Sequence, residues 1–89
     1  MPAARDNVVV VGRKSVSDYV LSAILLFNEG KDEIIIKGRG ENISKAVDVY
    51  NALKARLEDS LELVSVRIDS ERVGPRLVSF IEIKVRRVL

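Results

Sequence analysis

Two short runs of β-branched residues, each leading to a glycine and then to a helix-like stretch, constrain the fold of this chain most. The runs occupy residues 8–11, before Gly12, and residues 34–36, shortly before Gly38. Continuous β-branched runs of this length are typical of strands that are buried on both faces. A strand, a helix and a second strand in succession form a βαβ unit, in which the two strands run parallel.

The stretch between the two runs predicts a helix from about Val16 to Asn28. Ser15 and Asp18 have the spacing of a capping box at its start, and Gly30 follows as a left-handed C-cap. Both ends of the first helix are therefore predicted from local sequence.

A second helix is predicted after the second strand. Residues 38–40, Gly-Arg-Gly, predict a flexible turn. From about Glu41 or Asn42, apolar residues recur at i, i+3, i+4 and i+7 as far as Leu57, which is the spacing of one helix face. If this helix is also a right-handed crossover, the strand after it runs parallel to the first two.

The C-terminal part of the chain predicts two more strands. Residues 61–69 predict a third strand with a bulge, because the alternation of apolar residues changes phase. Residues 70–76 contain Gly-Pro and predict a hairpin loop, and residues 78–88 alternate as in a strand with one wet face. The predicted order is βαβαββ, in a single domain that spans residues 1–89.

The composition excludes several classes of function. The 89 residues include neither cysteine nor histidine, so the chain forms no disulfide, thiolate nucleophile or Cys/His zinc site. We expect no enzyme, cofactor or metal ion, because no nucleophile–base pair is recognisable. The sequence shows neither a signal-peptide pattern nor the ~20 apolar residues of a membrane span, so we expect a cytoplasmic protein without a membrane partner.

The first helix is apolar around most of its circumference. One side can face the sheet, whereas Leu21 and Leu25 lie on a different side. Because so small a domain buries little core by itself, this second apolar side favours contact with another subunit. Coverage by the second helix is the alternative interpretation.

A net charge of only +2 conceals an uneven distribution of charged residues. If the first three strands are parallel, the connections after them emerge at one end of the sheet, together with both helix N-termini, which favour phosphate. The cations of this end are Arg13, Lys14, Lys37, Arg39, Lys45, Arg72 and Arg76. The opposite end, at residues 29–33 and 58–62, is acidic. This separation of positive and negative charge between the two ends favours binding of a phosphate backbone. Any one of these cations alone is better explained as a solvated loop residue.

The chain resembles the Alba family of archaeal chromatin proteins over nearly its whole length. Residues 8–14 (Val-Val-Val-Val-Gly-Arg-Lys) match the family's first strand and basic pair. The most specific segments are residues 34–40 (Ile-Ile-Ile-Lys-Gly-Arg-Gly) and 43–48 (Ile-Ser-Lys-Ala-Val-Asp). Residues 27–30 and 49–51 are closer to the second paralogue group of the family than to the first.

The resemblance implies an α+β fold: a four-stranded mixed sheet, two helices on one face and a protruding hairpin between the last two strands. It implies a homodimer, or a heterodimer with a paralogue, that binds double-stranded DNA and often RNA on the chromosome with little sequence preference. By position, the contacts would be Arg13, Lys14, Arg39 and Lys45 in the body and Arg72 and Arg76 in a hairpin arm that reaches the minor groove.

The chain departs from the family pattern at two positions. The lysine that is acetylated in the family is replaced by Arg13, so such a modification would have to fall on Lys14. The phenylalanine that some members use between dimers is replaced by Leu57, which we assign, with Leu21 and Leu25, to the predicted subunit interface.

Two other functions remain open from the sequence. A mildly basic surface on a similar fold would also suit an RNA-binding subunit of a ribonucleoprotein particle. A protein-interaction module or an enzyme is the third hypothesis. Competition between duplex DNA and structured RNA at matched salt distinguishes the first two, and unchanged DNA mobility at low salt would favour the third.

Overall fold

The helices and strands follow one another in the predicted order βαβαββ. The computed structural model describes residues 7–88. Short 3₁₀ turns at Gly40–Asn42 and Glu58–Ser60 flank the second helix. The elements are β1 (Val8–Val11), α1 (Val16–Asn28), β2 (Glu33–Arg39), α2 (Ile43–Leu57), β3 (Leu61–Val73) and β4 (Arg76–Arg87).

The four strands form one mixed sheet in the spatial order β1-β2-β4-β3. β1 and β2 are parallel, and β4 is antiparallel to both β2 and β3. β3 therefore runs in the same direction as β1 and β2, as predicted, although β4 separates it from them. The connections after these three strands, at residues 12–15, 40–42 and 74–75, emerge at the same end of the sheet, which we call the loop end.

Both helices pack on one face of the sheet and form the core there. Ile34 and Ile36 of β2 and Val85 of β4 point into this core and are fully buried, together with Ala23 of α1 and Val49 of α2. Complete burial of a side chain as large as isoleucine contributes about 1.5–3 kcal/mol. Because side chains alternate along a strand, the residues between these positions project from the opposite face, which we call the open face.

Gly38 belongs to β2, which corrects the prediction of a flexible turn over residues 38–40. The strand continues to Arg39, and a 3₁₀ turn follows. A Cβ atom on Gly38 would lie 2.3 Å from the backbone oxygen of Asn42 and 2.8 Å from the Cβ atom of Ala46. The absence of a side chain therefore allows α2 to begin directly against the sheet.

β3 and β4 continue past the end of β2 and form a two-stranded arm. The last pair of β2 with β4 joins Arg39 to Phe80, so the arm comprises residues 70–79. Four residues of β3 lie beyond this pair, which at ~3.3 Å per residue gives an arm of roughly 13 Å. The protruding hairpin is therefore a paired ribbon.

The connection at the tip of the arm is shorter than predicted. Pairing extends to Val73 and Arg76, so only Gly74 and Pro75 form the turn, whereas the sequence predicted a loop over residues 70–76. Gly74 has a φ of 61°, which suits the first central residue of a type II′ turn and matches the twist of the flanking strands. The predicted bulge in β3 is present, and shifts the register next to Leu63.

Both ends of α1 are capped as predicted. The Ser15 hydroxyl accepts from the backbone N–H of Asp18, and the Asp18 carboxylate accepts from the backbone N–H of Ser15, which completes a capping box. At the other end, Gly30 has a φ of 102° and the N–H of Lys31 donates to the carbonyl of Leu26, as in a Schellman motif.

Candidate nucleic-acid interface

A tyrosine of α1 fixes the backbone of the loop between β1 and α1, which carries Arg13 and Lys14. The hydroxyl of Tyr19, a buried residue of α1, accepts hydrogen bonds from the backbone N–H groups of Gly12 at 2.7 Å and of Lys14 at 3.1 Å. The side chains of Arg13 and Lys14 are exposed. The loop therefore presents two cations from a fixed backbone, and two of its N–H groups are used internally.

Lys45 holds the same loop from the side of α2. Its ammonium donates to the backbone carbonyls of Gly12 at 2.8 Å and of Lys14 at 2.5 Å, and it lies 5.9 Å from the centre of the Tyr19 ring. Lys45 and Tyr19 together make four hydrogen bonds to this loop, and we call the pair the loop clamp. The sequence predicted Lys45 as a phosphate contact, and its ammonium is already engaged by protein oxygens.

Arg39 and Lys37 lie on the open face of β2 and both pair with Glu71 of the arm. Arg39 Nε is 2.5 Å from one carboxylate oxygen, and Lys37 Nζ is 3.5 Å from the other. The hydrogen bond from Arg39, helped by the charge of Lys37, holds the pKa of Glu71 below its usual range. Lys37 also lies 3.5 Å from Glu82 and only 4.6 Å from the ring centre of Phe80, so it is the less accessible of the two cations.

The arm presents one arginine on each of its faces. Arg72 pairs with Leu77 and shares the face of Ile68, which is continuous with the helix-covered side of the sheet. Arg76 pairs with Val73 and lies on the opposite face, continuous with the open face. Both arginines are exposed.

Four of the seven predicted cations have no ion pair or side-chain hydrogen bond to any residue from 7 to 88: Arg13, Lys14, Arg72 and Arg76. All four lie at the loop end or on the arm that extends from it. Arg56 at the end of α2 and Lys84 in mid-β4 are similarly unpaired, but lie away from this end. The loop end therefore offers uncompensated positive charge on two separate elements.

The two helix N-termini at the loop end differ. At the start of α1, the carboxylate of Asp18 accepts from the backbone N–H of the N-cap residue Ser15, so a negative charge already lies in the first turn. The start of α2 has no side-chain cap at Asn42 and no acidic residue in its own first turn, although Glu41 lies in the 3₁₀ turn just before it. That both helix N-termini favour phosphate therefore stays a prediction.

The sequence profile of the Alba family matches residues 7–70. The chain belongs to the Alba family. Two proteins named DNA/RNA-binding protein Alba 2, from Saccharolobus solfataricus and Saccharolobus shibatae, are each 51% identical to it over 83 residues, which is 93% of this chain and 93% of theirs. The predicted closeness to the second paralogue group is therefore confirmed.

More distant members of the Alba family are also similar to this chain, in sequence or in fold, over most of its length. The DNA/RNA-binding protein Alba of Methanocella arvoryzae is 41% identical over 87 residues, covering 92% of this chain and 91% of its own. The solved structure of Alba from Thermoplasma volcanium has a TM-score of 0.82 at 39% identity, with 91% of this chain and 100% of that chain covered. ALBA1 from Trypanosoma brucei has a TM-score of 0.83 at 25% identity and covers 93% of this chain and 70% of its own.

Among residues 7–88 of this Alba chain, large apolar side chains are exposed on α1 and, as a second group, on α2 and β3. Leu21 and Leu25 of α1, predicted to face a partner, are 54% and 51% exposed, whereas Leu57 packs against the core. No helix between residues 7 and 88 is long and apolar enough to cross a membrane. Over the same residues, no group of three acidic side chains is placed to hold a metal ion.

The second apolar surface was not predicted from the sequence. Val66 and Ile68 of β3 are 52% and 76% exposed, although they lie on the helix-covered side of the sheet. Val47 is 37% exposed on α2, and Ile43 lies beside Ile68. We call these four residues the α2–β3 surface. Lys54, further along the same helix face, donates to the backbone carbonyl of Leu61 at the start of β3.

Proposed function

We propose that this member of the Alba family binds double-stranded DNA through its phosphates with little sequence preference, and thereby packages the chromosome in the cytoplasm. The observation that supports this function is the set of cations without an internal partner at the loop end. They lie on two elements, Arg13 and Lys14 on a fixed loop and Arg72 and Arg76 on the arm. Cations without an internal partner neutralise phosphates at little cost, and release of condensed counterions drives such binding. We infer a binding protein without enzymatic activity.

The names of the relatives support a nucleic-acid partner of either type. Those proteins are called DNA/RNA-binding. RNA binding, as a subunit of a ribonucleoprotein particle, is the second candidate function, since phosphate contacts serve both polymers.

The proposed contacts divide into a body and an arm. In the body, Arg13, Lys14 and Arg39 would meet phosphates directly, and Lys37 and Lys45 would add to the positive field while their ammonium groups bind protein oxygens. In the arm, Arg72 and Arg76 would reach a groove. Lys14, whose side chain is exposed and unpaired, is the proposed position for a regulatory modification that removes its charge.

We propose that two chains form a homodimer, and that a paralogue can replace one of them. The α2–β3 surface supports this assembly, because an exposed edge strand of 13 residues with apolar side chains is an association hazard unless something covers it. The surface at Leu21 and Leu25, with Leu57, is the interface predicted from the sequence. Substitutions in one surface at a time distinguish which of the two forms the dimer interface.

The function is tested by fluorescence anisotropy with a 30-base-pair duplex and a structured RNA, titrated from about 50 to 300 mM salt. We expect Kd to rise steeply with salt, at a slope of about 0.9 per phosphate neutralised. The double variant Arg13→Gln/Lys14→Gln should lose affinity for every duplex sequence and lower the slope by roughly 2. The variant Arg56→Gln/Lys84→Gln removes the same charge elsewhere and serves as the matched control.

Three results would contradict the proposal. No binding of either polymer at low salt would favour a protein-interaction module. Equal losses in the two double variants would mean that only net charge matters and that the loop end is no site. Tighter binding of RNA than of duplex DNA at every salt concentration would favour the ribonucleoprotein function.

A further inference from the structure

Glu71 is an acidic residue of the arm at the cationic loop end, and it binds cations of the body. Its two carboxylate oxygens face Arg39 at 2.5 Å and Lys37 at 3.5 Å. Arg39 and Glu71 are 32 residues apart in sequence and lie on different elements. The arrangement is the one that a phosphate oxygen would have against the same guanidinium.

Asp18 and Asp69, two other acidic residues near this end, have different partners. Asp18 caps α1, and Asp69 accepts from Arg67 and from the backbone of Ser70. Glu41, in the 3₁₀ turn before α2, forms no ion pair within residues 7–88. Among these four carboxylates, Glu71 alone engages an arginine that is proposed to contact nucleic acid. Its side chain is 30% exposed and that of Arg39 is 48% exposed, so solvent and ligand can reach the pair.

We propose that Glu71 is an intramolecular competitor of phosphate, which occupies Arg39 in the free protein and is displaced when a duplex binds. The inference rests on the proposed function and assigns an affinity-setting role to a residue that would itself repel DNA. Exposed ion pairs of this kind are weak. The closely spaced phosphates of a duplex can therefore replace the carboxylate at Arg39, whereas a single anion in solution gains little by replacing it.

The exchange has a consequence for salt dependence. When Arg39 leaves Glu71 for a phosphate, the released carboxylate recruits a cation from solution, which offsets the counterion that the phosphate releases. The wild-type protein therefore gains less affinity from this contact and shows a shallower salt slope than its number of phosphate contacts implies. Displacement also removes an ion pair that joins the base of the arm to the body, so the arm becomes freer to adjust to the groove.

The test compares Glu71→Gln with Glu62→Gln on the same 30-base-pair duplex. Glu62 pairs with Arg86 at 3.0 Å near the acidic end, so both variants raise the net charge equally and each breaks one exposed ion pair with arginine. We expect Glu71→Gln to bind about five- to tenfold more tightly than Glu62→Gln at low salt and to steepen the salt slope by up to ~0.9. In the presence of Arg39→Ala, the Glu71→Gln substitution should lose most of this effect.

Two outcomes overturn the inference alone: equal affinities of Glu71→Gln and Glu62→Gln while the wild type binds DNA, or a Glu71→Gln gain that persists fully with Arg39→Ala. Absence of duplex binding by the wild type at low salt would overturn the proposed function, and this inference with it. Melting temperatures of the four variants, measured in the same buffer, show whether any change reflects unfolding.

Discussion

The hydroxyl oxygen of Tyr19 lies 2.7 Å from the backbone nitrogen of Gly12, seven residues earlier, and thereby joins the first helix to the loop that precedes it. The same oxygen accepts from the backbone nitrogen of Lys14. A neutral side chain thus fixes the loop that carries two of the unpaired cations, and its contribution can be tested without changing any charge.

Tyr19→Phe should weaken duplex binding by about three- to tenfold and lower the free energy of unfolding by about 1–2 kcal/mol. The phenyl ring keeps the packing but leaves the N–H groups of Gly12 and Lys14 without an acceptor, and a disordered loop pays an entropy penalty on binding. Anisotropy and urea denaturation measure the two effects. Tyr50→Phe is the control, because the Tyr50 hydroxyl makes no hydrogen bond within residues 7–88; equal effects of both substitutions would contradict the loop clamp.

Lys45→Met should act mainly through the loop and not through lost charge. The methionine chain preserves the apolar stem, while the carbonyls of Gly12 and Lys14 lose their donor. We expect a loss of about 1–2 kcal/mol in unfolding free energy, and strong non-additivity with Tyr19→Phe in a double-mutant cycle of DNA affinity. Additive effects, together with a salt slope lowered by a full ~0.9, would instead make Lys45 a direct phosphate contact.

Gly38→Ala should destabilise the fold by about 3 kcal/mol or more, because the new Cβ atom would overlap the backbone of Asn42 and cannot be relieved by a rotamer change. Gly30→Ala is the matched control: its Cβ atom meets nothing within 4 Å, and only the positive φ opposes it, at about 1 kcal/mol. Urea denaturation of both variants measures the difference. Similar losses in the two would show that α2 can shift away from β2.

Removal of the Glu71 carboxylate should flatten the acid limb of the stability curve. Because the pKa of Glu71 is lower in the folded state than the ordinary value of 4.5, its ionised form stabilises the fold above that pH. The stabilisation is lost as the pH falls through the folded-state pKa, as Arg39 and Lys37 lose their anionic partner. Urea titrations from pH 6 to pH 3 should therefore show wild type and Glu71→Gln converging; parallel curves would contradict the ion pair.

Ile68→Ser should shift the proposed dimer toward monomer in sedimentation equilibrium by about tenfold or more in Kd, since Ile68 has the largest exposed fraction, 76%, of the α2–β3 surface. Leu21→Ser makes a comparable change on the α1 surface predicted from the sequence. Dissociation by the second substitution alone would assign the interface to Leu21 and Leu25.

The order of elements was predictable because its signals are local. The capping box at Ser15 and Asp18, the C-cap at Gly30 and the phase change before the bulge at Leu63 all act within a few residues. Such short-range chemistry is readable from one sequence.

The missed features depend on contacts between distant segments. Gly38 looked like a turn residue, since nothing nearby shows that Ala46 will pack against it. Lys45 reaches a loop 31 residues away, and Glu71 reaches Arg39 over 32 residues. The sequence therefore predicted which cations gather at the loop end, but not which of them already have partners.

In the proposed complex, the two-residue tip of the arm would limit what the protein can recognise in a double helix. Glycine and proline at positions 74 and 75 carry no side-chain donor or acceptor for a base edge. If the arm enters a groove as proposed, the arginines on either side of the ribbon would instead respond to the electrostatic potential between the two phosphate strands, which deepens as the groove narrows. The small preference that remains among duplexes would then follow local groove width and not the identity of single bases.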